Sequence, residues 1–256
     1  MSAAPYPGTQ TVLRAVTLLK AFTDARPEWG LSDLARMVGL NKTTTYRLLT
    51  ALAGEGMITR NPATETYRLG PEAIALGGRA LRSNSLREAS RAALESLAEA
   101  TGESVTLEVL AEGEVLILDE VQGRHLVGTT LSIGTRWPAH ATSTGKIILA
   151  FLADEERNAV LPRRLARPTG KTIGDRETLT TELRRARERG YATQTGELED
   201  DYAAVGAPVF NHDGKVVAAV SVGAPSIRLN AARMREVSPL VMQTAAQISR
   251  SLGYRP

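Results

Sequence analysis

The sequence predicts an α+β protein with two domains, and three observations lead to this prediction. Its 256 residues exceed the usual size of one domain, which is about 150 residues. Apolar residues recur at helical spacing before Gly102, whereas they alternate with polar residues after it, which is the period of a strand. Predicted hairpins with helices at both ends of this segment indicate an antiparallel sheet. We expect domains at residues 1–70 and 86–256, joined by a linker helix at 71–85.

The composition excludes several classes of protein. The chain has no Cys, which excludes disulfide frameworks, thiolate zinc sites and cysteine nucleophiles and is typical of a reducing compartment. Residues 1–9 contain no apolar run of the kind found in signal peptides, and no stretch of about 18 apolar residues is present to cross a membrane. We therefore expect a cytoplasmic protein without membrane partners, and nothing in the sequence predicts a cofactor.

The excess of positive charge lies in the first predicted domain. The whole chain carries a formal net charge of +3. Residues 1–70 contain eight basic and five acidic side chains, whereas basic and acidic residues are equal in number in the remainder. This distribution is expected if the first domain alone binds a polyanion.

Residues 31–52 have the pattern of a helix-turn-helix. Ser32 is expected to cap a short helix, which ends where Gly39 permits a left-handed backbone. Small Ala35 allows this helix to cross closely over a second one, which begins after the predicted cap Asn41. In such a motif the N-terminal residues of the second helix enter the major groove of DNA.

A β-wing is expected directly after this motif. Residues 57–60 and 66–69 have the composition of two short strands, joined by a turn at 61–65. The order of caps, glycine, small residue and wing predicts DNA binding, although a plain hairpin that closes a small helical core has the same pattern. The predicted DNA-binding residues are Ser32, Asn41, Lys42, Thr43, Thr44, Tyr46, Arg47, Arg60, Thr64 and Arg68.

The remaining elements follow from periodicity and turn signals. Asp213-Gly214 is a strong hairpin signal, and Pro239 is expected to kink or split the closing helix. The first helix, at 11–22, is expected to bury Val12, Ala15, Val16, Leu19 and Phe22. Further helices are expected at 86–100, 145–152, 175–189 and 231–252, and strands at 105–109, 115–118, 191–194, 207–210 and 215–222.

With these elements in place, the sequence resembles the IclR family of bacterial transcriptional regulators over nearly its whole length. The segments that carry the resemblance are 31–52, 103–109, 138–151 and 190–222. The resemblance implies a winged helix-turn-helix joined by a linker helix to a GAF-like effector domain, with homodimers or tetramers of the chain. It implies a sequence-specific regulator, expected to be a repressor, whose affinity for double-stranded operator DNA is modulated by a small-molecule effector.

The resemblance also implies where the effector binds. The pocket residues that it implies are Leu126, Thr129, Trp137, Ser143, Thr144, Gln194, Tyr202, Ala204, Ser221 and Gly223. A helix that begins near Ser143 presents free backbone amides and hydroxyls at its N-terminus, which favours a carboxylate, so the expected effector is a small organic acid. Ser143 and Thr144 could equally be ordinary helix caps with nothing bound.

Two departures from the family pattern limit this transfer. Thr45 replaces the usual Val in the second helix of the motif, and its hydroxyl is expected to bond to the carbonyl four residues earlier. The pocket segment has Glu199-Asp200-Asp201 followed by Tyr202, where the family has an acidic residue and Gly. Asp tolerates a left-handed backbone there, but its charge and the large Tyr202 would reshape the pocket.

Other classes of protein are weaker interpretations of the same sequence. His140 and Ser143 lack the partners of a catalytic triad, and the Walker spacing is absent around Lys146, so we expect no enzyme. His125, His140 and His212 could bind zinc only if folding brings them together. The alternative function is a ligand-binding or interaction protein with a winged-helix fold and no operator specificity.

Overall fold

A computed structural model describes residues 9–125 and 133–255 of the chain. The chain divides into two compact units, with the division between Ser83 and Asn84. Within the described residues, no helix is long and apolar enough to cross a membrane.

The first unit consists of helices packed beside a small antiparallel sheet. Its elements are α1 (Gln10–Lys20), β1 (Trp29–Gly30), α2 (Leu31–Met37), α3 (Lys42–Gly54), β2 (Ile58–Arg60), β3 (Thr66–Leu69) and α4 (Pro71–Arg82). The strand order is β1-β3-β2, so the predicted wing hairpin β2–β3 is confirmed and β1 adds a strand that the pattern did not indicate. Leu18, Leu34, Leu49 and Ile58 form the centre of the core, each at most 2% exposed.

The local chemistry of the helix-turn-helix is as predicted at three positions and different at a fourth. Asn41 caps α3, since its side-chain oxygen accepts a hydrogen bond from the Thr44 amide at 2.8 Å. Gly39 has a φ of +68°, and the Thr45 hydroxyl donates to the Asn41 carbonyl at 3.0 Å. Ser32 does not cap α2. The helix begins at Leu31, and its cap position is Gly30, two residues before the predicted cap.

The predicted buried face of α1 is partly wrong. Phe22 and Leu18 are buried, whereas Val12 and Val16 are 63% and 43% exposed. The helix packs through Leu18 because the small unit offers one narrow core, and an apolar strip is left at the surface.

The second unit has a six-stranded antiparallel sheet between two layers of helices. Its elements are α5 (Ser85–Thr101), β4 (Ser104–Ala111), β5 (Glu114–Val121), β6 (Arg136–Pro138), α6 (Ser143–Phe151), α7 (Asp154–Val160), α8 (Arg176–Arg189), β7 (Ala192–Thr195), β8 (Tyr202–Phe210), β9 (Val216–Pro225) and α9 (Ala231–Ser251). The strand order is β6-β5-β4-β9-β8-β7. A 3₁₀ turn, Ala139–Ala141, leads from β6 into α6.

Both faces of this sheet are covered. Residues 104–108 of β4 and 202–209 of β8 are all buried, and successive side chains of a strand point to opposite faces. Helices α5 and α9 contact each other and strands β4 and β8, whereas α6 contacts α8 and strands β8 and β9. Polar side chains on the face beneath α6 are therefore enclosed within the unit.

Helix α9 continues through Pro239 without being split. A proline has no amide hydrogen to donate to the carbonyl four residues earlier. That carbonyl belongs to Arg235, and it accepts a bond from the Ser238 hydroxyl at 3.3 Å instead. The proline ring itself lies on the exposed side of the helix. The predicted split is therefore wrong, whereas the alternative, a kink at Pro239, stays a prediction.

Candidate functional site

The start of α3 forms an exposed, positively charged surface. Lys42, Thr43 and Arg47 are exposed, and Tyr46 is 49% exposed. Helix α3 contains no acidic residue. Neither Lys42 nor Arg47 forms an ion pair with another described residue. Its free N-terminal amides and two cations suit a phosphate backbone.

The wing carries two arginines in different electrostatic states. The Arg60 guanidinium forms an ion pair with Glu65 in the wing turn, and its carbon lies 6.0 Å from the centre of the Tyr67 ring. The hydrogen bond and charge of Glu65 raise the pKa of Arg60. Arg68 is exposed and forms no ion pair with another described residue. One cation of the wing is therefore partly neutralised and the other is not.

The helix-turn-helix and the wing enclose a common groove. Its volume is about 700 Å³, and four of the predicted DNA-binding residues line it, namely Ser32, Tyr46, Arg60 and Thr64. Asp33 and Glu65 line it as well. The fold thus brings these four helix and wing candidates onto one surface, which also carries the two acidic side chains.

The second unit contains a cavity at the N-terminus of α6. It leaves about 20 Å³ of space for the centre of a water-sized sphere, and seven of the residues implied by the resemblance line it: Trp137, Ser143, Thr144, Gln194, Tyr202, Ala204 and Ser221. Glu108, Thr142 and Leu198 line it too and were missed. Glu108 was missed because the polar positions of β4 had the alternation of an exposed face. Leu126 and Thr129 lie outside the described residues.

Two glycines allow the start of α6 to approach its surroundings closely. A Cβ on Gly145 would lie 2.1 Å from the Ala139 carbonyl oxygen, and one on Gly206 would lie 3.0 Å from the Thr144 nitrogen. The Thr142 hydroxyl caps the helix by accepting from the Gly145 amide at 3.0 Å. The amides of Ser143 and Thr144 cannot be paired inside the helix, so they remain at the cavity end with positive polarity.

A buried carboxyl group lies at the centre of the cavity wall. One Glu108 oxygen accepts from the Thr144 hydroxyl at 2.6 Å, and the other accepts from the Thr106 hydroxyl at 2.7 Å. Thr106 is also bonded to the Ser221 hydroxyl at 2.9 Å. Burial raises the pKa of Glu108, although both threonine bonds oppose this shift. The group is held by hydroxyls and has no cation beside it among the described residues.

Two hydrogen-bond donors in the cavity wall have no partner within the described residues. They are the indole Nε1 of Trp137 and the amide Nε2 of Gln194, and both atoms are buried. The orientation of Gln194 is fixed because its oxygen accepts from the Glu197 amide at 3.1 Å. A buried donor without an acceptor is costly, and a bound acceptor group would satisfy both.

Tyr202 and Gly223 form one side of the cavity together. A Cβ on Gly223 would lie 1.8 Å from the Tyr202 hydroxyl oxygen, so the phenol fits only because residue 223 has no side chain. Tyr202 is 7% exposed. Gly223 therefore supports the pocket through Tyr202, whereas the adjacent segment 199–201 is exposed and has no left-handed residue. Neither Asp200 nor Asp201 adopts the left-handed backbone that an Asp would tolerate there.

His140 and Lys146 hold the loop beneath the cavity. The His140 Nε2 is bonded to the Ala166 carbonyl at 2.7 Å, and burial lowers the pKa of this imidazole. Lys146 is 1% exposed, and its ammonium is paired with Glu197 at 2.6 Å. Burial raises the pKa of Glu197, which the adjacent ammonium opposes. Within the described part of the chain, no group of three or more candidate ligands could hold a metal ion.

Comparison with known proteins gives the same two parts. The family profile "IclR helix-turn-helix domain" matches residues 11–62, and "Bacterial transcriptional regulator IclR C-terminal" matches residues 78–250. The HTH-type transcriptional regulator XynR of Escherichia coli is 32% identical over 97% of this chain and 99% of its own. The transcriptional repressor IclR of the same organism is 29% identical over 99% of this chain and 94% of its own.

A solved structure extends the similarity to the fold. An IclR homolog from Microbacterium hydrocarbonoxydans, crystallised with 4-hydroxybenzoate, is 28% identical, with a TM-score of 0.79 over 95% of this chain and 99% of that one. These matches agree with the two units and the elements described above. The chain belongs to the IclR family and is a DNA-binding transcriptional regulator with a C-terminal effector domain.

Proposed function

We propose that this chain is a cytoplasmic repressor that binds its operator through α3 and the wing and is controlled by a small organic acid bound at the start of α6. The observation that carries the proposal is the pair of unpartnered donors, Trp137 Nε1 and Gln194 Nε2, beside that helix start. The repressor assignment follows the name of the Escherichia coli relative, and we assign the chain no enzymatic activity.

The DNA-binding proposal rests on charge and exposure. Lys42 and Arg47 are unneutralised cations on a helix without acidic residues. We assign base contacts to Thr43, Tyr46 and Arg47, because side chains in the first turns of such a helix reach base edges. We assign phosphate contacts to Ser32, Asn41, Lys42, Thr44, Arg60, Thr64 and Arg68.

The effector proposal rests on the cavity wall. A carboxylate has two acceptor oxygens, and the cavity offers the Trp137 and Gln194 donors together with the amides of Ser143 and Thr144. A helix N-terminus favours such an anion. The 4-hydroxybenzoate in the structure of the homolog is a carboxylate of this kind.

A homodimer is proposed from exposed apolar side chains of the first unit. Val12, Leu13 and Val16 of α1 and Ile74 and Leu76 of α4 are 43–76% exposed. A second copy of the chain would remove these side chains from water. Two copies place two recognition helices in successive major grooves, and the effector changes their spacing or orientation. Association of dimers through the second unit would give tetramers.

Fluorescence titration of the full chain against its upstream DNA tests the proposal. We expect tight binding that weakens as salt increases and that survives an excess of unrelated competitor DNA. Small carboxylates should shift this binding in the wild type. In Trp137→Phe, which keeps the ring and removes the donor, the effector should bind about tenfold or more weakly with unchanged DNA affinity. Equal binding to competitor DNA would instead favour an interaction protein without operator specificity.

A further inference from the structure

Among the described residues, the cavity of the effector domain is lined by one carboxyl group and no cation. Glu108 is 6% exposed, and the other side chains that line the cavity are aromatic, aliphatic, hydroxyl or amide groups. An anionic effector would therefore bring a second negative charge against Glu108. Two carboxylates in a shared buried site cannot both remain ionised without a large cost.

The elements packed against β4 supply no cation to offset this charge. Strand β9 has no ionisable residue, and the Lys146 ammonium of α6 is paired with Glu197. On β5, Glu120 lies opposite Thr106 in the register and adds no positive charge. The remaining ionisable residues are Arg87, Glu88, Arg91, Glu95 and Glu99 of α5 and Glu114 and Asp119 of β5. The two arginines are held by Asp119 at 3.2 Å each.

We propose that Glu108 couples effector binding to proton uptake, so that an anionic effector enters the cavity only together with a proton on this carboxyl group. This inference rests on the proposed organic-acid effector and specifies how its charge is accommodated.

Protonation would change the hydrogen bonds at the helix start. In the ionised state Glu108 can only accept, and it holds the hydroxyl hydrogens of Thr106 and Thr144. With a proton, the carboxyl group becomes a donor, and the Thr144 hydroxyl is free to rotate toward the ligand. The effector carboxylate would then meet donors from Trp137, Gln194 and Thr144. Burial of Glu108, which already raises its pKa, lowers the cost of this protonation.

The test measures binding of defined probes to the full-length protein at pH 5.5 and 7.5. The probes are propionate and 4-hydroxybenzoate. Alanine, which is propionate with an added ammonium group, and 4-hydroxybenzamide, the neutral amide of 4-hydroxybenzoate, are the controls. Both carboxylic acids are mostly ionised at pH 5.5 and almost fully ionised at pH 7.5. We expect the carboxylates to bind up to about tenfold more weakly per pH unit above the pKa of Glu108. Calorimetry in two buffers of different ionisation enthalpy should show uptake of up to one proton per ligand.

Glu108→Gln provides the neutral counterpart of the protonated group. In this variant the carboxylates should bind at pH 7.5 as tightly as the wild type does at pH 5.5, with no proton uptake. Glu99→Gln makes the same chemical change at an exposed position of α5 and should behave as the wild type. If Glu108→Gln does not fold, the absence of proton uptake in the wild type would still reject the proposal.

Several outcomes would overturn the proposal. One is a carboxylate affinity that does not change with pH, and another is a pH dependence that is retained in Glu108→Gln. A third is tighter binding of alanine than of propionate at pH 7.5, which is expected if an ionised Glu108 holds the ammonium group. Failure of both carboxylates to bind at either pH would also reject it, together with the effector class. Operator binding is measured separately, so loss of the proposal would leave the DNA-binding function intact.

Discussion

Helices α3 and α6 both begin with a polar cap followed by hydroxyl residues, but the start of α3 is exposed to solvent and the start of α6 is buried. The start of helix α3 follows the Asn41 cap, and the exposed face of this helix carries Lys42 and Arg47. Helix α6 follows the Thr142 cap, and all of Ser143 to Ala150 is buried. The same positive backbone end thus serves a long polyanion at the surface in one case and a small molecule inside a cavity in the other.

This difference predicts that the two sites fail in different ways. At α3, binding depends on side-chain charges that can be removed without disturbing the fold. At α6, the geometry depends on close backbone approach at Gly145 and Gly206, so even a methyl group should disturb the packing. The following substitutions test this contrast.

The largest effect is expected for Gly145→Ala. The new methyl carbon would lie 2.1 Å from the Ala139 carbonyl oxygen, which is backbone and cannot rotate away. We expect the free energy of unfolding of the effector unit to fall by about 3 kcal/mol or more, since overpacking of a rigid core costs roughly 1–3 kcal/mol and occasionally more. Urea unfolding followed by circular dichroism measures this change.

Gly170→Ala is the matched control in the same unit. No atom lies within 4 Å of its added carbon and its φ is not positive, so its stability should stay within about 0.5 kcal/mol of the wild type. A Gly145→Ala protein as stable as this control would show that the start of α6 can move away from the turn before it.

The next largest effect is expected for Arg47→Ala. Arg47 is exposed on α3 and forms no ion pair with another described residue. Its removal should therefore leave the free energy of unfolding unchanged. Operator affinity should fall by about 1–3 kcal/mol if the guanidinium reads a base, and the preference over competitor DNA should fall with it. Fluorescence titration at fixed salt measures both quantities.

Arg163→Ala removes the same charge from an exposed position of the second unit. Its operator affinity should equal that of the wild type at moderate salt, since charges beyond about 10 Å are screened. Equal losses in the two variants would mean that net charge, and not the α3 surface, determines binding.

The exposed site was easier to predict from the sequence than the buried one. Asn41, Gly39 and Thr45 act through bonds to the backbone a few residues away, so local pattern is sufficient to predict them. Glu108 and Thr106 lie on a strand whose polar alternation indicates an exposed face, and only the packing of α6 over that face encloses them. Residues far apart in the sequence, such as Tyr202 and Gly223, were assigned to one pocket by the family resemblance and not by periodicity.

The same limit explains the errors at Ser32, Val12 and Pro239. A cap position shifts by one or two residues at little cost, and a small unit has one narrow core, so the apolar pattern of α1 alone does not determine which residues are buried. In α9 the Arg235 carbonyl, which loses its amide partner at Pro239, accepts from the Ser238 hydroxyl instead. A pattern of residue types does not indicate such a replacement.

The smallest effect is expected within the wing, where Arg60 and Arg68 lie on opposite faces of the hairpin and have different partners. Arg60 is paired with Glu65, so part of its attraction for a phosphate is already used. We expect Arg68→Ala to reduce the slope of log affinity against log salt by about 0.9, the value for one phosphate contact, and Arg60→Ala to reduce it by less. Titrations at four salt concentrations determine these slopes.

Glu65→Gln separates the pairing of Arg60 from its position. The substitution preserves the size of the side chain in a turn where φ is +57°, and it releases the Arg60 guanidinium. Operator affinity should rise a few-fold, consistent with the modest strength of exposed ion pairs. In this background Arg60→Ala should reduce the salt slope as much as Arg68→Ala does. If Arg60→Ala and Arg68→Ala are already equal in the wild type, the Glu65 pair opens on DNA without cost, and the two arginines are equivalent.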